Sequence, residues 1–285
     1  MIKCYHVSDL HGKIDRYEKL FELIYNNPPD ILFIGGDLLP NPRMILPDGI
    51  NDFVFDYLVS KFEKIKTQLG NKYPKVLIIL GNDDPKAREK DFIRIDNDSG
   101  LWNYIHNKKI SLFDFDIYGY ANIPPTPFLY KDWERYDVSR YADPGCIHPI
   151  DGIHNVINPK DIEYETIAKD LEILTNDDKL DRAVFLFHSP PYKTKLDRAA
   201  LDGKTFDHVP LDVHVGSIAI QRFIETKQPY LTLHGHIHES SSITGYWKDK
   251  IQNTIMFNAA YNKEELAVII FDLLEPDNAK RILIK

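Results

Sequence analysis

The sequence predicts an α/β fold in which most strands run parallel and the last ones antiparallel. Three observations carry this. Short runs rich in β-branched and apolar residues recur along the 285 residues, as buried strands do. Between several of them the apolar residues repeat with helical spacing, so strand and helix alternate. Towards the C-terminus the runs follow one another too closely for crossover helices, which calls for antiparallel pairing.

Residues 2–8 and 31–35 read as the first two strands. The helix between them places Tyr17, Leu20, Phe21 and Ile24 on one face and is ended by Asn26-Asn27-Pro28-Pro29. A second helix carries Phe53, Val54, Tyr57, Leu58, Phe62 and Ile65, closes near Gly70, and leads to a strand at 76–80. Further strands are expected at 111–118 and 183–188, with a helix at 162–174 that has Pro159 near its start. A fourth helix at 217–226 turns Ile220, Phe223 and Ile224 to a core, and strands at 230–234, 254–257 and 267–272 finish the chain. No repeat or linker divides it, so residues 1–285 are expected to form one domain. Residues 122–159 stand apart: irregular, rich in Pro, Tyr and Asp, and carrying Phe128, Tyr130, Trp133, Tyr136 and Tyr141. Aromatics in so long an insertion predict a loop packed over a cleft.

Composition narrows the function. Hydrophobic residues at 43% and charged residues at 27% exclude disorder, collagen-like repeats and coiled coil. The longest apolar run, 266–271, is far below the ~20 residues of a spanning helix, and the N-terminal residues lack the apolar core of a signal peptide. A net charge of −8 argues against a broad nucleic-acid surface or an anionic membrane. Cys4 and Cys146 are too few for a disulfide framework, and a cytoplasmic location is expected.

The chemistry lies just past the strands. They run into Asp9-Leu10-His11-Gly12, Gly35-Gly36-Asp37, Gly81-Asn82-Asp83-Asp84, His188-Ser189-Pro190-Pro191 and His234-Gly235-His236-Ile237-His238. Ligand sites of α/β sheets gather at the carboxyl ends of strands, where glycine lets backbones approach. Carboxylate, amide oxygen and imidazole suit borderline-to-hard divalent ions, and the lack of thiols disfavours structural zinc. With 11 histidines and 14 glycines in the chain, a chance G-H-x-H is expected only about 0.02 times. Polar caps at strand ends are the bland alternative, and five such elements together make it a poor one.

This ordered set, D-x-H, G-D, G-N, H before Pro-Pro and G-H-x-H, resembles the calcineurin-like metallophosphoesterases from Asp9 to His238. The resemblance implies a four-layer α/β/β/α sandwich of two mixed β-sheets flanked by helices. It also implies two divalent metal ions (Mn, Fe, Zn or Ni), one held by Asp9, His11 and His238 and the other by Asn82, His188 and His236, with Asp37 bridging. A metal-bound hydroxide would then attack phosphorus in a phosphomonoester or phosphodiester. One position departs from the family. Many members have His after G-N, as transition-state stabiliser or proton donor, where this chain has Asp83. An ordinary carboxyl is ionised at neutral pH, so Asp83 serves as an acid only if burial or Asp84 raises its pKa.

The remaining candidates divide as follows. His6 and His234 alternate with apolar neighbours and read as core histidines or supports for a ligand. His148, His154, His208 and His214 lie in loop-like sequence and read as surface residues, any one of which could supply the missing proton. Lys193, Lys195 and Arg198 read as a solvated face, or as contacts to substrate phosphate. Asp143, Asp151 and His154 have no specific metal spacing. The expected partner is a small phosphoester, with a nucleotide among the candidates. The competing readings are a metal-binding scaffold without turnover, and an amidohydrolase, whose H-x-H would fall early in the chain.

Overall fold

The computed structural model describes residues 1–41, 44–156 and 159–285. Two six-stranded sheets organise the chain. The first contains β1 (Lys3–Val7), β2 (Ile31–Gly35), β3 (Lys75–Ile79), β4 (Asn103–Tyr104), β13 (Leu266–Asp272) and β14 (Lys280–Ile284). The second contains β5 (Lys108–Leu112), β6 (Phe115–Tyr120), β7 (Ala183–Phe187), β10 (Leu231–His234), β11 (Lys248–Ile251) and β12 (Thr254–Asn258). A small hairpin, β8 (Thr205–Phe206) with β9 (Val209–Pro210), stands outside both. Strand order is β14-β13-β1-β2-β3-β4 in the first sheet and β11-β12-β10-β7-β6-β5 in the second. In the first sheet β1, β2, β3 and β4 pair in parallel while β13 and β14 join antiparallel; in the second β6, β7, β10 and β12 pair in parallel and the edge strands β5 and β11 antiparallel.

Alternation along the strands assigns the layers, because successive side chains leave opposite faces. In β7, Val184 and Leu186 join the core shared with the first sheet, whereas Ala183, Phe185 and Phe187 join a second core. That second core meets α5 (Ile167–Thr175) and α6 (Ile218–Lys227) through Ile167, Leu171, Ala219, Ile220 and Ile224. On the first sheet, α1 (Ile14–Asn26) buries Tyr17, Leu20, Phe21 and Ile24, the face expected from their spacing. The remaining helices are α2 (Ser60–Leu69), α3 (Glu89–Ser99), α4 (Pro159–Tyr164) and α7 (Ser240–Thr244). The result is the α/β sandwich of two mixed sheets flanked by helices. Among the described residues, no helix is long and apolar enough to cross a membrane.

Several local expectations are corrected. The strand expected at 111–118 is the β5–β6 hairpin, turned by Phe113 and Asp114, both at positive φ (52° and 64°). The helix expected at 162–174 is broken into α4 and α5, because Thr166 leaves helical geometry and caps α5 by accepting the Lys169 N–H at 3.2 Å. The helix beginning at Phe53 opens with a wide π-type stretch, Phe53–Val59, before α2. Two edge strands, β11 and β14, escape sequence reading because their charged residues mask the pattern, which also protects an edge from pairing with another chain.

The insertion expected at 122–159 is packed in part, and its residues 157 and 158 lie outside the described residues. Trp133 and Tyr136 are buried, whereas Phe128, Tyr130 and Tyr141 are exposed. Several bonds pin it to the ligand edge of the sheets: Trp133 Nε1 donates to the Asp84 carbonyl at 2.7 Å, Asp132 accepts the Lys86 N–H at 2.8 Å, and Asp137 accepts the Ile218 N–H at 2.6 Å at the start of α6.

Candidate metal centre

The five motifs leave the carboxyl ends of β1, β2, β3, β7 and β10 and meet. Four of their residues sit in the left-handed region that non-glycine residues avoid: Asp9 (φ 59°), His11 (49°), Asp37 (54°) and His236 (71°). Such backbones persist only where their surroundings impose them, and they cluster at functional sites. Here the two loops lace together, with the Asp9 N–H donating to Gly36 O at 2.9 Å and the His11 N–H to Asp37 O at 2.8 Å. Glycine is required beside them. A Cβ on Gly81 would run into Asp37 Oδ1 and reach 2.6 Å from His188 Cε1; one on Gly235 would run into Ser8 Oγ and reach 2.5 Å from Asp9 Oδ2.

The side chains form two groups that share Asp37. Ligand-capable atoms of Asp9, His11, Asp37 and His238 lie within 4.8 Å of one another, as do those of Asp37, His188 and His236. In the first group, His238 Nε2 is 2.8 Å from Asp9 Oδ1 and 3.0 Å from His11 Nε2. In the second, His188 Nε2 is 3.0 Å from Asn82 Oδ1 and 3.3 Å from Asp37 Oδ2. All seven residues expected to ligate are thus brought together. Two ligand atoms on one ion, each bonded at about 2.1 Å, sit about 3.0–3.4 Å apart, so these spacings fit divalent ions. The oxygen and nitrogen donor set fits them too.

Charge in the site is concentrated. Burial alone would raise the Asp9 and Asp37 carboxyls, but the facing histidines outweigh it and hold both below the usual carboxylate range. Burial also opposes charge on His188, yet Asp37 and Asp9 push it up to about 10. Desolvation, with His188 alongside, pushes the half-buried His236 down to about 3. Buried carboxylates thus draw positive charge onto their neighbours, which bound cations would supply instead.

The supporting residues hold backbone as much as side chains. His188 Nδ1 donates to Gly35 O at 2.8 Å, which fixes its tautomer and leaves Nε2 facing Asp37 and Asn82. Arg16, buried, donates to Asp9 O at 2.8 Å. Asp84, also buried, accepts from the N–H groups of Leu38 (2.9 Å), Leu39 (2.7 Å) and Gly81 (2.9 Å), so one carboxylate ties the Asp37 loop to the Asn82 loop. Sequence reading named Asp84 only as a neighbour of Asp83; two acidic residues in a row after G-N were the available signal. Burial and Asp37 push its pKa up to about 7.

His6 and His234 are supports, not members of either group. His6 Nε2 donates to His234 O at 2.9 Å, and His234 Nδ1 donates to Ser189 O at 2.9 Å beside His188. Burial pushes His6 down to about 4 and His234 to about 3. Asp83 stands at the rim with Oδ2 3.5 Å from His11 Nδ1, and it accepts from Asn82 Nδ2 at 2.9 Å. Desolvation and Asp37, not Asp84, push its carboxyl up. With 54% of that side chain exposed, solvent screens the effect.

Of the other histidines, His148 meets Tyr136 Oη at 3.2 Å, His154 donates to Pro149 O, His208 is exposed and His214 faces Asp197. Lys195 and Arg198 are paired with Asp249 and Asp202, as a solvated face would be.

The family model for calcineurin-like phosphoesterases matches residues 2–240. No curated protein matches the sequence. A solved structure 18% identical in sequence superimposes with a TM-score of 0.62, covering 100% of this chain and 99% of that one. The protein TT1561 of Thermus thermophilus is 13% identical and superimposes with a TM-score of 0.56, covering 99% of each chain. Both likenesses are of fold.

Proposed function

The chain belongs to the calcineurin-like phosphoesterase family, and from that premise we propose that it hydrolyses a small phosphoric mono- or diester at a centre of two divalent ions. The observation that carries this is the pair of donor groups joined at Asp37. In this reading Asp9, His11 and His238 hold one ion, Asn82, His188 and His236 hold the other, and Asp37 serves both. Bound there, divalent ions supply Lewis acidity toward phosphoryl oxygens and a nucleophile at neutral pH.

The chain's own residues do the positioning. Asp37 is oriented by the Asp83 N–H, which donates to its Oδ1 at 2.8 Å, so Oδ2 is left toward His188. The His236 N–H donates to both Asp9 oxygens at 3.1 Å, which sets that carboxylate between the two histidine turns. Asp83 occupies the family's proton-donor position, at the rim beside His11 and Asn82. Mn, Fe, Zn and Ni all suit the donors. We read the chain as one domain with an insertion at 122–159, cytoplasmic, acting on a small phosphoester, with a nucleotide among the candidates.

Turnover of p-nitrophenyl phosphate and bis-p-nitrophenyl phosphate by the manganese-loaded protein tests the reading. Metal-dependent hydrolysis of either ester, lost in Asp37→Ala, supports it. Stoichiometric metal with no hydrolysis of any activated ester would favour the scaffold reading, for which the absent histidine at Asp83 is the motive.

A further inference from the structure

The segment between His188 and α6 carries a pair of side chains that the metal centre does not use. Asp197 is fully buried, and its carboxylate accepts from the N–H groups of Lys193 (3.0 Å), Thr194 (3.0 Å) and Gly216 (3.2 Å). Its Oδ1 also faces His214 Nδ1 at 2.8 Å. A carboxylate held this firmly fixes the imidazole as the Nδ1–H tautomer. The His214 side chain is 27% exposed, and its Nε2 meets no partner among the described residues. A buried acid, an oriented imidazole and an open Nε2 are the parts of an acid–base pair.

The fold puts this pair on the ligand edge. β7 and β10 run parallel, and α6 carries the chain from the carboxyl end of one back to the start of the other. The four residues from His214 to Ser217 therefore lie at the same end of the sheet as His188 and His236. Hydrogen bonds tie the segment to both ligand turns. The Ser217 N–H donates to Pro190 O at 2.9 Å, two residues past His188. Arg198, bridged to His214 across an antiparallel pair, donates its N–H to Ser240 Oγ at 3.2 Å, two residues past His238. The Ala200 N–H reaches Glu239 Oε1 at 3.2 Å. The charged and titratable groups around the pair are Tyr192, whose ring lies 6.2 Å from that of His214, Asp212, which accepts from Tyr192 Oη and the His214 N–H, Lys193 and Arg198.

We infer that His214, backed by Asp197, is a catalytic residue that protonates the departing oxygen of the ester, the task for which Asp83 is poorly suited. The inference rests on the phosphoesterase reading. In the step, the oxygen of water bonds to phosphorus as the bond from phosphorus to the ester oxygen breaks. The electron pair stays on the departing oxygen, which takes the proton from Nε2. The proton shed by water passes to solvent, and the imidazole is reprotonated from solvent. Asp197, 2.8 Å from Nδ1, holds the ring in place before and after the transfer.

The test compares His214→Ala with the unaltered protein on bis-p-nitrophenyl phosphate, a good leaving group, and diphenyl phosphate, a poor one. The expected result is a loss of about 10²-fold or more in kcat/KM on diphenyl phosphate and less than about threefold on the nitrophenyl ester, with partial rescue by imidazole in the buffer. Equal losses on both esters, or no loss on either, would overturn the inference and leave Asp197–His214 a structural pair. A second readout does not depend on turnover: in the ¹⁵N spectrum of histidine-labelled, zinc-loaded protein, inorganic phosphate should shift the His214 Nε2 resonance. If the unaltered protein hydrolyses neither diester, p-nitrophenyl phosphate and phenyl phosphate take their place as the good and poor leaving groups; if none of the four is hydrolysed, the phosphoesterase reading fails, and the His214 inference falls with an unmoved resonance.

Discussion

Replacing Asp84 by Asn tests whether one buried carboxylate holds the two loops of the centre together. Its Oδ1 accepts from Leu38 and Leu39 and its Oδ2 from Gly81, at 2.7–2.9 Å. In the variant the amide oxygen keeps the first two, while the amide NH₂ is set against the Gly81 N–H, donor against donor. Losing a buried hydrogen bond to a charged group costs about 1.5–3 kcal/mol. Relief of the repulsion with Asp37, one cause of the raised Asp84 pKa, works the other way. The net cost for the metal-free protein is therefore about 1–2 kcal/mol, and with a urea slope of about 3 kcal/mol/M the midpoint falls by roughly 0.5 M. Asp37 and Asn82 stand on the tied loops, so Mn²⁺ affinity should also fall, by about 10- to 100-fold. Urea melts with chelator, and calorimetric titration with Mn²⁺, measure the two effects. An unchanged midpoint together with unchanged affinity would refute the clamp.

The two motif glycines should separate the halves of the centre. Gly235→Ala pushes on Ser8 and Asp9 and should weaken metal binding mainly at the Asp9–His11–His238 group, whereas Gly81→Ala pushes on Asp37 and His188 and should weaken both; sequential metal titration reads the difference, and identical profiles would contradict it. The pH dependence of folding should carry a mark of His6. Its folded pKa of about 4 lies below the ordinary 6.5, so its contribution is complete above 6.5 and is lost as pH falls toward 4. In urea melts of metal-free protein at pH 7 and 4.5, His6→Gln, which can still donate to His234 O, should lose about 2–3 kcal/mol less than the unaltered protein. Equal losses would mean that His6 is not held neutral.

The centre was legible in the primary structure because ligand chemistry restricts residue type and glycine must flank it. Asp9, His11, Asp37, His236 and His238 each sit in or beside a short polar run with a glycine in it, set off from an apolar strand. The parallel core strands were legible for a similar reason, being buried on both faces and therefore continuously apolar. What escaped notice was set by tertiary context. The Phe113-Asp114 turn has no glycine or asparagine to announce it, and α3 buries only Asp91, Phe92 and Ile95 amid charged residues. Asp84 and Asp197 look like ordinary surface acids until the backbone N–H groups they accept from are seen. His214 was named among four loop histidines, but its partner stands 17 residues away, a separation without periodicity.

The most direct test of the account is the metal content of the protein, by mass spectrometry of dialysed material, beside that of Asp37→Ala. Two donor groups meeting at one carboxylate predict two ions per chain and almost none in the variant. One ion per chain, or a variant that keeps both, would contradict the shared centre.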